Sequence, residues 1–269
     1  MKVFYAKMLV MLFAVAAFIG TTGVSAFAAE PDWNNQVIQA TGVGANPASA
    51  TNSAQRRQMA KRAAIVDAQR QLAEIVQGVN LTAETTVQEA ITTGDVVVTK
   101  VQACIKGAIV VSEREIPDGY EVTMQVPLFG VTNSLAQAIM PTAPVKETFP
   151  TPTVSTPSNG GYTGLIVDCS GLGLKPVMSP VIKNDINQPI YGYKNIDPDK
   201  VIAQGMASYT NSLNSGVERA GSNPLIVKAI SLEGVYRGNP VLSASDANKV
   251  LAENNISHFL ENTNVVFVR

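Results

Sequence analysis

The sequence predicts an α+β protein of two small domains, the first a long helix packed on an antiparallel sheet and the second mixed α/β. Three patterns carry that expectation. Residues 141–160, PTAPVKETFPTPTVSTPSNG, hold five of the chain's 15 prolines among Thr and Ser, a composition that favours extended, semi-rigid backbone and reads as a linker. Before it, one strand and a long helix precede an antiparallel meander. After it, short apolar strands alternate with helical stretches. The expected layout is a leader at 1–28, a first domain at 29–140, the linker at 141–160 and a second domain at 161–269.

In the first domain, residues 36–43 read as a strand ending at Gly42 and Gly44. A long helix is expected within 47–79, because Ala60, Ala64, Ala68, Leu72 and Ile75 recur at spacings of 4, 4, 4 and 3 and form one stripe. Its alanines allow close approach to a sheet, and Gly78 suits its end. Arg56, Arg57, Lys61, Arg62 and Arg70 populate the remaining face. Asp67 and Glu74 stand at helical spacing from Arg70, as on a solvated face laced with ion pairs. A shorter helix is expected within 82–91. Strands are expected at 96–101 and 107–112, then a tight turn at Pro117-Asp118-Gly119 and an alternating return strand at 121–126.

The second domain opens with a strand at 164–168 and a loop from Ser170 to Pro180. A polar hairpin follows around 184–193. Asp197-Pro198 forms a helix start, and Ile202, Met206, Tyr209, Leu213 and Val217 extend the periodicity towards Gly221. A strand at 225–230, a helix capped by Ser243 and Asp246 and reaching Leu251, and a last strand at 264–268 complete it.

Lys2 and Lys7, an apolar run from Met8 to Ile19 and the Ala26-Phe27-Ala28 site read as a secretory signal peptide. The apolar core is shorter than the ~20 residues a membrane span needs, and no cysteine near the site offers lipid attachment. Removal of 1–28 leaves 18 basic against 21 acidic residues, a net of −3. No basic surplus exists to grip nucleic acid by bulk electrostatics. Export to the periplasm or cell envelope, without a lipid anchor, is the expected location.

Chemistry-bearing residues are few. Asp168, Gly171, Gly173 and Lys175 form a glycine-containing loop after a strand, the candidate ligand-binding site. A dinucleotide loop would need a third glycine and an immediate helix, and Pro176 stands there instead. His258 is the sole histidine, so Cys- or Ser-based catalysis depends on it; its neighbours Phe259 and Leu260 suggest a partly buried structural residue. Cys104 and Cys169 fall in different domains and allow two readings, one disulfide tying the domains across the linker or, in preference, two buried thiols. No catalytic residue, metal site or cofactor is expected.

Two stretches carry a family resemblance. Gly42-Val43-Gly44 followed by residues 56–74, RRQMAKRAAIVDAQRQLAE, resembles the Lpp-twenty lipoprotein family and is similar to the N-terminal domain of the flagellar assembly protein T family, over residues 33–130. That resemblance implies a non-enzymatic envelope protein with a strand–helix–strands domain, although the lipobox cysteine of the lipoproteins is absent. Residues 162–168 with 171–176 resemble a module of bacterial envelope proteins of uncharacterised role. The expected function is therefore a non-enzymatic structural or assembly component of the envelope, flagellum-associated in one version. Its expected partners are other envelope proteins or a second copy, joined by strand addition at a sheet edge, with peripheral membrane or glycan contact through the basic helix face. The alternative is a periplasmic small-ligand or glycan-binding module using the 168–175 loop.

Overall fold

The computed structural model describes residues 30–92, 94–141 and 146–269; the expected leader lies outside the described residues. The architecture is α+β, in two lobes. The first comprises β1 (Val37–Ala45), α1 (Ser53–Gln77), α2 (Val87–Thr92), α3 (Asp95–Lys106), β2 (Ile109–Ile116), β3 (Gly119–Pro127) and α4 (Leu135–Ile139). Its sheet is antiparallel in the order β1-β3-β2. Helix α1 starts at an Asn52 cap whose side chain accepts the Gln55 N–H, later than the helical pattern alone suggested. It buries Ala60, Ala64, Ala68, Leu72 and Val76. The fully buried stripe ends on Val76, with Ile75 partly buried and packed beside it.

Strand β1 runs through Gly42 and Gly44 and ends at Ala45. A Cβ on Gly42 would overlap the Ala64 carbonyl and the Ala68 backbone, and one on Gly44 would overlap the Ala60 carbonyl. The two glycines let the alanine stripe sit directly on the strand.

Residues 96–101 are helical rather than a strand. Gly94 caps α3 and Asp95 occupies its first turn, while Val101 and Cys104 are buried and Val97 and Ile105 pack beside them. That spacing is helical, and burial of this face overrides the strand preference of three consecutive valines.

The second lobe contains β4 (Gly164–Asp168), β5 (Ile182–Asn184), β6 (Pro189–Tyr191), α5 (Pro198–Gln204), β7 (Ser208–Thr210), β8 (Pro224–Lys228), β9 (Ser231–Glu233), β10 (Asn239–Leu242), α6 (Ala244–Ser257) and β11 (Val265–Val268). A parallel sheet runs β7-β11-β4-β8, and a mixed sheet runs β6-β5-β10-β9. Helix α5 stops at Gly205, whose φ of +74° an L side chain rarely adopts. The expected continuation to Gly221 does not form: Tyr209 lies in β7 instead. Its ring packs between Trp33 (5.6 Å) and Phe267 (5.5 Å), and its hydroxyl donates to the Val177 carbonyl at 2.8 Å. Helix α6 runs beyond Leu251 to Ser257.

One core spans both lobes, joining Trp33, Leu72 and Leu135 to Ile182, Tyr209 and Phe267. Backbone bonds cross the junction from Met178 N–H to the Asn80 carbonyl (3.0 Å), Ser179 N–H to Leu81 (2.8 Å), Tyr236 N–H to Ala83 (2.8 Å) and Gly130 N–H to Ile202 (2.7 Å). The described part of the proline-rich segment lies along the second lobe as a belt. Glu147 N–H donates to the Lys194 carbonyl, and Thr153 N–H and Oγ1 both donate to Asn248 Oδ1. Glu253, 3% exposed, accepts from Ser158 Oγ, Asn159 N–H and Gly160 N–H at 2.8, 3.3 and 3.0 Å.

Candidate functional site

The 168–175 loop leaves the carboxyl end of β4, inside the parallel sheet, which is where open α/β sheets bind ligands. Asp168 Oδ1 accepts the Ser170 N–H at 2.9 Å. The Ser170 side chain and N–H, with the Lys228 ammonium adding to them, hold the Asp168 carboxyl below its usual range. A turn closes from Leu172 N–H to the Cys169 carbonyl, with Gly171 at φ +78° and Gly173 at +76°. Arg237 Nη2 donates to the Leu172 carbonyl at 2.7 Å, and Lys175 N–H donates to the Arg237 carbonyl. Asp168 and the two glycines thus share one exposed turn pinned by Arg237. None of the four residues lines the cavities of about 510 and 430 Å³ elsewhere in the molecule.

Both cysteines are buried free thiols. Burial pushes Cys104 up to about 11, and burial with the nearby Asp168 charge pushes Cys169 up to about 12, the opposite of an activated nucleophile. His258 is exposed rather than partly buried. It adopts φ +52° to cap the end of α6, with its N–H on the Asn254 carbonyl and its Nδ1 3.5 Å from Glu261. Among the described residues, no group of three or more His, Cys, Asp or Glu side chains is placed to hold a metal. No helix of the described residues is long and apolar enough to cross a membrane.

The basic face of α1 is largely committed. Arg70 pairs with Asp67 (2.9 Å) and Glu74 (2.6 Å). Lys61 reaches Glu113 at 2.6 Å and Arg57 reaches Glu115, both on β2. These pairs hold the flank of β2, yet α1 packs on β1 and β3 and leaves β2 uncovered. Strand β2 is one of the two outer strands of its sheet, β1 being the other. Seven of its eight residues are exposed, including the consecutive Ile109, Val110 and Val111 at 56, 44 and 45%. A register shift between Val110 and Ser112 marks a bulge there. An uncovered outer strand presents unpaired backbone donors and acceptors, so this margin is chemically a template for another strand. The alternating pattern of β3 located this hairpin in the sequence; the exposure of 109–111 was hidden because an apolar run reads as core.

The cavity of about 510 Å³ lies where the lobes and the belt meet, with Ala83, Thr148, Pro150, Val181, Pro189 and Tyr193 among its walls. No local sequence signal marks it, since its residues come from four separated segments.

A family model described as the second domain of Treponema pallidum Tp0624 matches residues 164–269. The second lobe is thus similar to a bacterial domain, and the match begins with the first residue of β4. A search of curated proteins gives no match.

Proposed function

We propose that the chain is an exported, non-enzymatic structural or assembly component of the bacterial cell envelope, which joins its partners by strand addition at β2. The observation that carries this reading is the uncovered β2 margin with its exposed Ile109-Val110-Val111 run. Glu113, Arg114 and Glu115 and the bulge beside Val110 guard part of this edge as in monomeric proteins, whereas the uncharged Ile109-Val110-Val111 run is the part that strand addition can use. The leader pattern supports export. The likeness of residues 33–130 to the Lpp-twenty and flagellar assembly protein T families supports the envelope, and a flagellar location is its narrower version.

The test places a photo-crosslinking residue at Ser112, an exposed position on β2, in intact cells. Processed chain in the envelope, crosslinked to a defined envelope protein or to itself, is the expected result. Val111→Lys should abolish the adduct with the melting temperature unchanged, since a charge on an exposed edge blocks pairing without entering the core. Unprocessed chain in the cytosol, or adducts indifferent to Val111→Lys, would reject the reading.

A further inference from the structure

Arg219 carries a positive charge into the protein without an acid to meet it. Its Nε–H donates to the Thr263 carbonyl (2.6 Å), Nη1 to the Gln204 carbonyl (2.8 Å), and Nη2 to the Gly205 carbonyl (2.6 Å) and Thr263 Oγ1 (2.7 Å). Four of the five guanidinium hydrogens are thereby used, all on neutral acceptors. Among the described residues no carboxylate lies within 4.0 Å of it, and burial depresses its affinity for the proton. The Gln204 and Gly205 carbonyls end α5, so the guanidinium caps that helix, while no described carboxylate meets its charge.

Arg219 also lines an open hollow of about 430 Å³ at the amino end of the parallel sheet, together with Asn34, Asn35, Gln36, Gln204, Ser208 and Asn264. Every lining side chain is polar and uncharged apart from Arg219. Gln204 and Asn264 are fixed by their own amide hydrogen bonds. Gln36 is held at φ +56° on the turn that brings it to the cavity. The arrangement is one cation, several amides and one hydroxyl around a space of small-ligand size.

We infer that this cavity is a binding site for a small carboxylate bearing several hydroxyl groups, of the sugar-acid type. The carboxylate lies against Arg219, and the amides and Ser208 take the hydroxyls. The one remaining Nη1 hydrogen and the charge of the guanidinium draw the carboxylate, while the amides separate a hydroxylated acid from a bare anion. The inference stands apart from strand addition at β2.

The test titrates the full chain with glucuronate, glucose and inorganic phosphate by calorimetry. Saturable glucuronate binding, with glucose and phosphate each at least tenfold weaker, is expected. Ser208→Asp places a carboxylate within the cavity. It should weaken glucuronate at least tenfold while leaving the melting temperature equal or higher. Arg219→Lys keeps a charge but loses the guanidinium that is anchored on Gln204, Gly205 and Thr263 with one Nη1 hydrogen left for a ligand, and should also weaken binding at least tenfold; should that variant fail to fold, Ser208→Asp still decides, because Ser208 makes no side-chain hydrogen bond that folding needs. Absence of saturable glucuronate binding, equal binding of glucose or phosphate, or undiminished binding by Ser208→Asp would each overturn the assignment.

Discussion

Gly42 and Gly44 set the distance between α1 and β1. Adding one methyl at Gly42 forces the strand off the helix backbone, and backbone cannot move aside as a flexible side chain can. Gly42→Ala should cost about 1–3 kcal/mol or more, read by chemical denaturation. Val43, between the two glycines, is half-exposed and tolerates change. Asp67 fixes the same junction by chemistry: its Oδ2 accepts the Val43 N–H (3.1 Å) and the Gln71 amide (2.9 Å), and its Oδ1 accepts from Arg70 (2.9 Å). Burial alone would raise this carboxyl, but Arg70, the Val43 N–H and Gln71 together bring it below the ordinary 3.8. The folded state therefore prefers the ionised form. That stabilisation is present above the ordinary carboxylate range and is lost as the pH falls through it towards the lowered value. Asp67→Asn should flatten the loss of stability from about pH 4 downward, visible as converging melting temperatures of variant and parent in acid.

At the scale of elements, what local pattern could reveal was decided by which partner each segment found. The alanine stripe of α1, the Pro117-Asp118 turn and the Asp197-Pro198 cap were legible because neighbours in sequence make them. Helix α3 was misread because Val96-Val97-Val98 has strand propensity, and only its tertiary burial selects the 97–101–104 face. Helix α5 was overextended because Met206 and Tyr209 keep a helical spacing by coincidence across Gly205. Helix α6 was cut short because Glu253 and Asn254 break its apolar pattern, and yet both are buried. Asn254 Oδ1 accepts the Leu260 N–H and Glu253 receives the belt, partners no local window contains. Glu253→Ala should cost about 1–3 kcal/mol and speed amide exchange at Asn159 and Gly160. Unchanged exchange there would show that the belt is held by other contacts.

Across the whole molecule, the core runs without interruption from Leu72 through Trp33 and Tyr209 to Phe267. Trp33 is the only tryptophan, and it sits where the lobes meet. Unfolding followed by its fluorescence and by far-ultraviolet circular dichroism should give coincident transitions; two separated transitions would mean that the lobes melt independently. The two-lobe order of elements was visible in the sequence, whereas the shared core was not, since Trp33 and Tyr209 are 176 positions apart in the numbering. The candidate site divides the same way. The 168–175 loop was found by its glycines, while Arg219 was passed over inside a stretch read as helix.

The belt across α6 bears on where this polypeptide can be cut. A fragment beginning at Gly164, the point at which similarity to the Treponema domain starts, would strip Ser158, Asn159 and Gly160 from Glu253. A bare carboxylate would then be stranded beneath the surface, to be neutralised or hydrated at the expense of its surroundings. An excised second lobe starting at Lys146 should accordingly outlast one starting at Gly164 against heat and protease. The second lobe's own contacts, through the belt, begin upstream of the similarity.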